Sequence, residues 1–167
     1  MWYLDTNKVQ ELEGISQEQE VKRGAVVEWK RVDAVGGPLK PGPLAHHTSV
    51  VAGDKMYLFG GSGPRVSGQS LPDGTVPATW SLDLRTMKWD PIIPIGPAED
   101  QPLTRDDHTA VNFNDQAMIV FGGFVDGGER TNELWSYSYE ANRWQEIKPK
   151  GKSPKARAAH SSVLRGN

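Results

Sequence analysis

The sequence contains no cysteine, no long apolar run and no large excess of charge of either sign. The absence of cysteine excludes disulfides, thiolate zinc sites and cysteine nucleophiles, and it fits a reducing compartment. No stretch approaches the ~18 apolar residues of a membrane-spanning helix. The first residues, Met1–Asp5, lack the basic start and apolar middle of a secretion signal. We therefore expect a cytoplasmic protein with no membrane partner.

The charge balance also argues against a nucleic-acid partner. Lysine and arginine number 19 against 21 aspartates and glutamates, whereas nucleic-acid-binding domains usually carry a basic surplus. Glycine and proline are both abundant, as expected where many short strands are joined by turns. No segment predicts a convincing helix, and the Gln/Glu-rich stretch Val9–Lys22 is interpreted as loop. The composition therefore favours an all-β protein.

Four sequence marks recur in the same order along the chain. They are a His followed by Ser or Thr (His47, His108, His160), an apolar run ending in paired glycines (Met56–Gly61, Met118–Gly123), a Trp (Trp80, Trp135) and a second Trp (Trp89, Trp144). The two tryptophans are nine residues apart in both copies, whereas the glycine pair and the first Trp are 19 and 12 residues apart. Fixed intervals indicate strand pairs with tight turns, and the variable interval indicates a loop that tolerates insertions.

Each copy predicts four strands, A to D. The predicted bounds are His47–Val51, Lys55–Phe59, Trp80–Asp83 and Lys88–Ile92 in the first copy, and His108–Phe113, Gln116–Phe121, Glu133–Tyr139 and Arg143–Ile147 in the second. Gly53-Asp54 and Asn114-Asp115 favour tight A–B hairpins, because these residue types accept positive φ. Strand B is apolar without alternation, so we expect both of its faces to be covered by other sheets.

The ordered marks resemble the kelch repeat, which forms one blade of a β-propeller. The resemblance covers nearly the whole chain and implies an all-β, kelch-type propeller segment with four-stranded antiparallel blades and an incomplete ring. Complete blades are expected at 44–93 and 105–148. Residues 1–34 are expected to end a preceding blade, with Trp2 in strand C, Trp29 in strand D and a polar insertion at about 10–23.

At the other end of the chain, residues 157–167 are expected to supply the first strand of a further blade. Because a propeller closes with roughly four to eight blades, we interpret the chain as a segment of a larger protein. A ring assembled from several chains is the alternative. In either case the uncovered sheet faces and edges would be exposed to solvent and to aggregation.

The repeated residues are interpreted as structural rather than as ligand-binding. No helix follows the paired glycines, so they lack the helix N-terminus of a phosphate site, and close backbone approach explains them better. Three histidines at equivalent points are expected to be buried imidazoles bonded to backbone groups, and the tryptophans are expected to pack between blades. These structural marks are His47, Gly60, Gly61, Trp80, Trp89, His108, Gly122, Gly123, Trp135, Trp144 and His160.

No catalytic residue, metal site or cofactor is predicted. Copper enzymes of the galactose-oxidase type, which share the kelch fold, need a Tyr cross-linked to Cys, and this chain has no Cys. Iron-binding kelch proteins of the specifier type have a Glu-x-x-x-Asp-x-x-x-His pattern. Asp100 and Thr104 occupy the corresponding places before His108, so the pattern does not match.

The predicted B–C and D–A loops share one face of the propeller, because successive strands alternate in direction. They are Ser62–Thr79, Phe124–Asn132, Pro94–Asp107 and Lys148–Ala159. Loops on a rigid scaffold often carry function, and arginine is frequent at binding hot spots. The predicted partner-binding residues are Arg65, Arg105, Asp106, Asp107, Asp126, Arg130 and Arg157. Arg105 and Arg157 each precede the repeated His by three residues and either clamp carbonyls between blades or point into the central mouth. Leu44 stands at that position in the first copy.

The resemblance implies a non-enzymatic module that binds another protein or a complex, or the remainder of its own propeller. Two alternatives stay open, and the basic loop with five Lys and Arg residues leaves RNA binding as a more remote third, which the net charge opposes. The first is a sugar-modifying enzyme of the sialate-epimerase type. The second is a substrate receptor of a ubiquitin ligase, which would need sequence outside this chain because no BTB-like or F-box-like segment is present.

Overall fold

The computed structural model describes residues 2–4, 29–31, 34 and 39–166. The chain divides into two units, Met1–Ala34 and Val35–Asn167. In the first unit, β1 (Trp2–Leu4) pairs antiparallel with β2 (Trp29–Arg31), so that Trp2 lies opposite Arg31 and Leu4 opposite Trp29. The polar insertion predicted at about 10–23 lies outside the described residues.

The second unit contains two four-stranded antiparallel sheets, which we call blade I and blade II. Blade I has the order β3 (Thr48–Ala52), β4 (Lys55–Phe59), β5 (Thr79–Asp83), β6 (Lys88–Ile92). Blade II has the order β7 (Thr109–Phe113), β8 (Ala117–Phe121), β11 (Leu134–Ser138), β12 (Arg143–Glu146). The predicted strands A to D are confirmed, with ends that differ by at most one residue.

Short turns set the pairing within each blade. In blade I, Ala52 lies opposite Lys55 across the A–B turn, where Gly53 has a φ of 54°. In blade II, Phe113 lies opposite Ala117, and both Asn114 and Asp115 have positive φ. A left-handed backbone at these positions matches the right-handed twist of the flanking strands, so the hairpins close without strain on the sheet.

Residues predicted as plain loop or strand differ in three places. The loop at 124–132 contains a small hairpin, β9 (Phe124–Val125) and β10 (Glu129–Arg130), joined by a 3-10 turn at Asp126–Gly128. A second 3-10 turn lies at Ala98–Asp100. Residues 160–166 form no strand, in contrast to the prediction for 157–167, because no described strand lies beside them to complete the hydrogen bonds.

The core lies between the two blades and is rich in aromatic residues. Tyr57 of blade I stacks on Tyr139 of blade II with ring centroids 4.2 Å apart, and Phe59 packs on Trp144 at 4.9 Å. β3 and β7 make the main strand-to-strand contact between the sheets. Each sheet therefore buries an apolar face against the next, which is the packing of neighbouring propeller blades. The kelch-type, all-β propeller fold is confirmed.

Candidate functional site

The loops predicted to share one face are held together by backbone hydrogen bonds. In blade I, Ala45 and Ser62 form a two-way bridge, with N–O distances of 2.8 and 2.9 Å. In blade II, Asp106 and Phe124 form the same bridge at 2.9 and 2.8 Å. These bridges tie the end of each D–A segment to the start of the following B–C loop. The A–B and C–D turns lie at the opposite end of the sheets, where Leu84 donates to the Asp54 carbonyl.

Each glycine pair forms a junction with the Arg-x-x-His segment that follows it. We call the contact of Gly60-Gly61 with residues 105–108 the first junction and that of Gly122-Gly123 with residues 157–160 the second. The Gly61 amide donates to the Arg105 carbonyl at 3.0 Å, and the Gly123 amide donates to the Arg157 carbonyl at 2.9 Å. The two junctions therefore have the same backbone pattern.

Only glycine fits at these four positions. All four have φ between 66° and 100°, in the left-handed region. A Cβ on Gly60 would clash with the Arg105 carbonyl oxygen, and a Cβ on Gly122 would lie 2.6 Å from the Arg157 carbonyl oxygen. Gly60 and Gly61 also line a surface pocket, described below, so the first pair has a neighbouring cavity that sequence reasoning did not predict.

The three repeated histidines differ in environment. His108 is 4% exposed, and its Nε2 is 2.7 Å from the Thr48 hydroxyl of blade I. His160 makes the equivalent contact with Thr109 at 3.1 Å but is half-buried, and His47 is exposed. The sequence predicted backbone atoms as the hydrogen-bond partners of these histidines. For His108 and His160 the partner is instead a threonine hydroxyl on the preceding blade. The prediction of burial does not hold for His47, because no described strand packs over it.

Burial lowers the pKa of two of these histidines, His108 and His160. Burial, together with the nearby positive charge of Arg105, lowers the pKa of His108 to about 4. Burial also lowers the pKa of His160, and the Arg157 charge adds to the effect. Because burial in an apolar environment disfavours a charged imidazole, His108 is neutral at pH 7 and cannot attract an anionic ligand.

Arg105 is the main correction to the predicted partner-binding set. Its side chain is 1% exposed and makes three hydrogen bonds: Nε to the Leu103 carbonyl, Nη1 to the Gly122 carbonyl and Nη2 to Glu133 Oε2. The Glu133 carboxylate also accepts from Trp135 Nε1 at 3.0 Å. Arg105 therefore clamps carbonyls inside its own blade and does not reach a partner, because its donors are occupied and covered.

The predicted acidic residues divide into two kinds. Asp106 and Asp107 are half-buried, and the Asp107 carboxylate accepts from His46 Nδ1 at 2.8 Å. Asp107 has positive φ, as do His46 and Ala159 at the equivalent positions. The Asp107 amide donates to the His46 carbonyl, and the Ala159 amide donates to the Asp107 carbonyl, so the three residues are linked in series. Asp126 is exposed in the small hairpin. Asp126 thus remains available to a partner, whereas Asp107 contributes mainly to the link between blades.

Three of the predicted arginines are exposed on the loops. Arg130 lies over the Phe124 ring at 5.1 Å, a cation–π contact that orients the β9–β10 hairpin. Arg157 donates its Nε to the Lys155 carbonyl, and Arg65 lies at the edge of the pocket in blade I. The D–A loop at 148–159, which contains Arg157, carries four exposed lysines: Lys148, Lys150, Lys152 and Lys155. This side of the loop face is therefore strongly basic.

A pocket of about 310 Å³ opens among the loops of blade I. Its lining includes Leu44, Gly60, Arg65, Ala78 and Trp80. Trp80 is fully buried and donates its Nε1 to the Pro77 carbonyl at 2.9 Å, so it forms a fixed wall. The replacement of Arg by Leu44 was visible in the sequence, but the pairing of Arg105 with Glu133, 28 positions away, was not.

Residues 2–4, 29–31, 34 and 39–166 contain no group of three or more His, Asp or Glu side chains that could hold a metal ion. Over the same residues, no helix has the length and apolar character needed to cross a bilayer.

Comparison with known proteins identifies the family. Residues 1–167 match the model of the KLHDC2/KLHL20/DRC7 Kelch-repeats domain. The chain therefore belongs to the kelch-repeat family, in agreement with the resemblance found in its sequence. Kelch-repeat domains generally bind protein partners. Family membership therefore supports protein binding in general as the function of this chain.

Curated relatives match most of this chain but contain much more sequence. Host cell factor of Drosophila melanogaster is 28% identical over 156 residues, which cover 84% of this chain and 10% of that protein. Host cell factor 1 of Rattus norvegicus is 30% identical over 156 residues, which cover 84% and 7%. Kelch domain-containing protein 2 of Bos taurus is 27% identical over 116 residues, which cover 70% and 25%. The chain thus spans no more than a quarter of the length of these relatives.

A solved structure supports the fold. The chain superposes on YjhT with a TM-score of 0.52 and 23% sequence identity, over 77% of this chain and 34% of that one. At this identity the likeness concerns the arrangement of the strands alone and carries no information on activity.

Proposed function

We propose that this chain is a non-enzymatic protein-interaction module, in which the B–C and D–A loops of two kelch blades present a binding surface, basic along residues 148–157, to a partner protein. The family supports binding of protein partners in general, and the loop face is the part proposed here. A cytoplasmic location goes with the proposal, since the absence of cysteine suits a reducing compartment.

The observation that carries the proposal is the combination of fixed loops with exposed arginines. Backbone bonds at Ala45–Ser62, Asp106–Phe124 and Gly123–Arg157 hold the loops to rigid sheets. A surface that is ordered before binding loses less conformational entropy on association. Arg65, Arg130 and Arg157 are exposed on it, and arginine supplies the forked hydrogen bonds that are frequent at hot spots.

The chemistry of the last D–A segment favours an acidic group on the partner. The segment 147–166 carries six basic residues and no acidic one, and its lysines are exposed. Complementary charge raises the rate of encounter and selects among partners more than it raises affinity. We therefore expect binding that weakens with salt, because exposed charges are screened beyond about 8 Å at physiological ionic strength.

The test compares charge reversals at the two ends of the sheets. Partners of the full-length protein are captured and identified by mass spectrometry, and the affinity of a purified partner is then measured. Arg130→Glu with Arg157→Glu should weaken binding by about tenfold or more. Arg85→Glu is the matched control, because Arg85 is an exposed arginine in a C–D turn, at the end of the sheets away from the loops. Equal binding by all variants would overturn the proposal.

A further inference from the structure

The pocket in blade I occupies the place that two charged side chains fill in blade II. The equivalence rests on hydrogen bonds: the Gly60 amide donates to the Ala78 carbonyl at 2.9 Å, as the Gly122 amide donates to the Glu133 carbonyl at 3.1 Å. Ala78 therefore corresponds to Glu133. The matching bridges at Ala45–Ser62 and Asp106–Phe124 likewise make Leu44 the counterpart of Arg105.

In blade II the equivalent space is filled by the side chains of Arg105 and Glu133. The Arg105 guanidinium is buried, bonded to the Gly122 carbonyl at 3.3 Å and to the Glu133 carboxylate at 2.8 Å. The carboxylate in turn holds Trp135 Nε1. Arginine and glutamate thus occupy the space between the glycine pair and the first tryptophan of the blade.

Blade I has much smaller and uncharged side chains at both positions. Leu44 and Ala78 leave about 310 Å³ open between Gly60 and Trp80, and Trp80 bonds to the Pro77 carbonyl in place of a carboxylate. Val76 adds a further apolar wall. A volume near 300 Å³ is at the lower end of small-ligand sites, which suits one large side chain better than a long ligand.

The charge of the pocket lining indicates which second group the ligand carries beside its apolar side chain. Arg65 is the one charged residue among the described residues that line it. A basic side chain copying Arg105 would find no carboxylate there, and burying an unpaired cation is costly. An apolar side chain with a carboxylate beside it fits both the walls and Arg65.

We propose that this pocket receives a large apolar side chain of a partner polypeptide, with an adjacent aspartate or glutamate pairing with Arg65. This inference deepens the interaction function proposed above and rests on it. It places the specificity of the loop face in blade I, in a cavity that blade II closes with its own residues.

Capped tetrapeptides provide the probe. Acetyl-Gly-Phe-Asp-Gly-amide, its Phe→Ala and Asp→Asn analogues and its Asp→Lys analogue are titrated into the ¹⁵N-labelled full chain. The Phe-Asp peptide should shift the amide signals of Gly60 and Gly61 and the indole signal of Trp80. The Ala analogue should bind about tenfold or more weakly, since it loses the buried aromatic surface. Equal shifts from the Phe and Ala peptides would overturn the proposal.

The decisive variant introduces the Arg–Glu pair of blade II at the equivalent positions of blade I. Leu44→Arg with Ala78→Glu recreates the Arg105–Glu133 pair beside the Gly60 carbonyl, so the variant should fold and its pocket should be closed. Peptide shifts at Gly60 and Gly61 should then disappear. Persistence of these shifts in the folded double variant would contradict the proposal.

Arg65→Glu keeps the test valid if the double variant is unstable, because Arg65 is exposed and its replacement disturbs no core contact. This variant should prefer the Phe-Lys peptide over the Phe-Asp peptide, the reverse of the parent chain. An unchanged preference would overturn the proposed role of Arg65 and with it the proposal.

The same variants separate this inference from the broader one. If Leu44→Arg with Ala78→Glu leaves partner capture intact while Arg130→Glu with Arg157→Glu abolishes it, the pocket proposal fails and the loop-face proposal stands. If neither pair of changes affects capture, both fail. Loss of capture with both pairs of changes supports both proposals.

Discussion

The first and second junctions have the same backbone and different surroundings. In both, a glycine amide donates to the carbonyl of the residue three places before a histidine, and the histidine ring packs edge-on against a phenylalanine: Phe59 with His108 at 5.2 Å and Phe121 with His160 at 5.4 Å. The shared sequence marks therefore specify one local geometry twice.

The difference between the junctions lies in burial. Arg105 and His108 are almost fully buried, whereas Arg157 is exposed and His160 is half-buried. Arg105 has Glu133 and the Gly122 carbonyl as partners, while Arg157 bonds within its own segment to Lys155. The comparison shows that the repeat determines backbone geometry, and that the surrounding sheet determines how much each repeated side chain contributes to stability.

The largest effect is expected from Gly60→Ala. The new Cβ would clash with the Arg105 carbonyl in a left-handed backbone, so the free energy of unfolding should fall by about 3 kcal/mol or more. Gly53→Ala is the matched control, because Gly53 has a similar φ and no atom within 4 Å of the added Cβ. Chemical denaturation should show a loss of only about 1 kcal/mol for the control. Equal losses would mean that the close approach of Gly60 to the Arg105 carbonyl does not contribute to stability.

Arg105→Leu should be the next most damaging change. It leaves the buried Gly122 carbonyl without its donor and the Glu133 carboxylate without its cation, at a cost of about 2–3 kcal/mol. Arg157→Leu at the second junction should change stability by less than about 0.5 kcal/mol, because Arg157 is exposed. Urea denaturation of both variants measures the difference, and similar losses would contradict the contrast drawn between the junctions.

Acid should weaken the first junction through His108. The pKa of His108 is about 4 in the folded state, below its usual value of 6.5, so the unfolded chain binds the proton more readily. This contribution is fully present above pH 6.5 and is lost as pH falls towards 4, by about 2 kcal/mol between pH 7 and pH 5. His108→Gln should flatten this part of the stability profile, and an unchanged slope in that variant would contradict the assignment.

The smallest effect is expected for the exposed pair between the blades. His46 Nδ1 and the Asp107 carboxylate are 2.8 Å apart near the surface, and exposed polar contacts of this kind contribute about 0–1 kcal/mol. His46→Ala should therefore shift the unfolding midpoint only slightly, as urea denaturation would show. A loss comparable to that of Arg105→Leu would show that surface contacts, rather than burial, separate the two junctions.

The strands could be predicted from sequence because their cause is local. Apolar runs such as Met118–Phe121 and turn residues such as Asn114 restrict the backbone within a few positions. Because the sequence repeats, each of these patterns is seen twice. The β9–β10 hairpin was not predicted, because two-residue strands are too short for an alternating pattern to be visible.

The candidate site could be predicted only in outline. The exposed Arg65 and Arg130 were found from their places in loops. The burial of Arg105 was not, because it depends on Glu133, which is distant in the sequence and adjacent only in the folded sheet. The pocket in blade I has the same origin, since it requires Leu44 and Ala78 to be small together. Pairs brought together by tertiary structure leave no local signal.

The central claim is that partners bind the loop end of the kelch blades, and hydrogen–deuterium exchange of the full-length protein with and without a captured partner tests it most directly. Protection should appear in residues 60–78 and 122–133, which contain the glycine pairs and the B–C loops, and in the D–A loop at 148–159. The A–B and C–D turns at 53–54, 85–87, 114–115 and 141–142 should exchange at the same rate in both states. Protection confined to these turns would contradict the account.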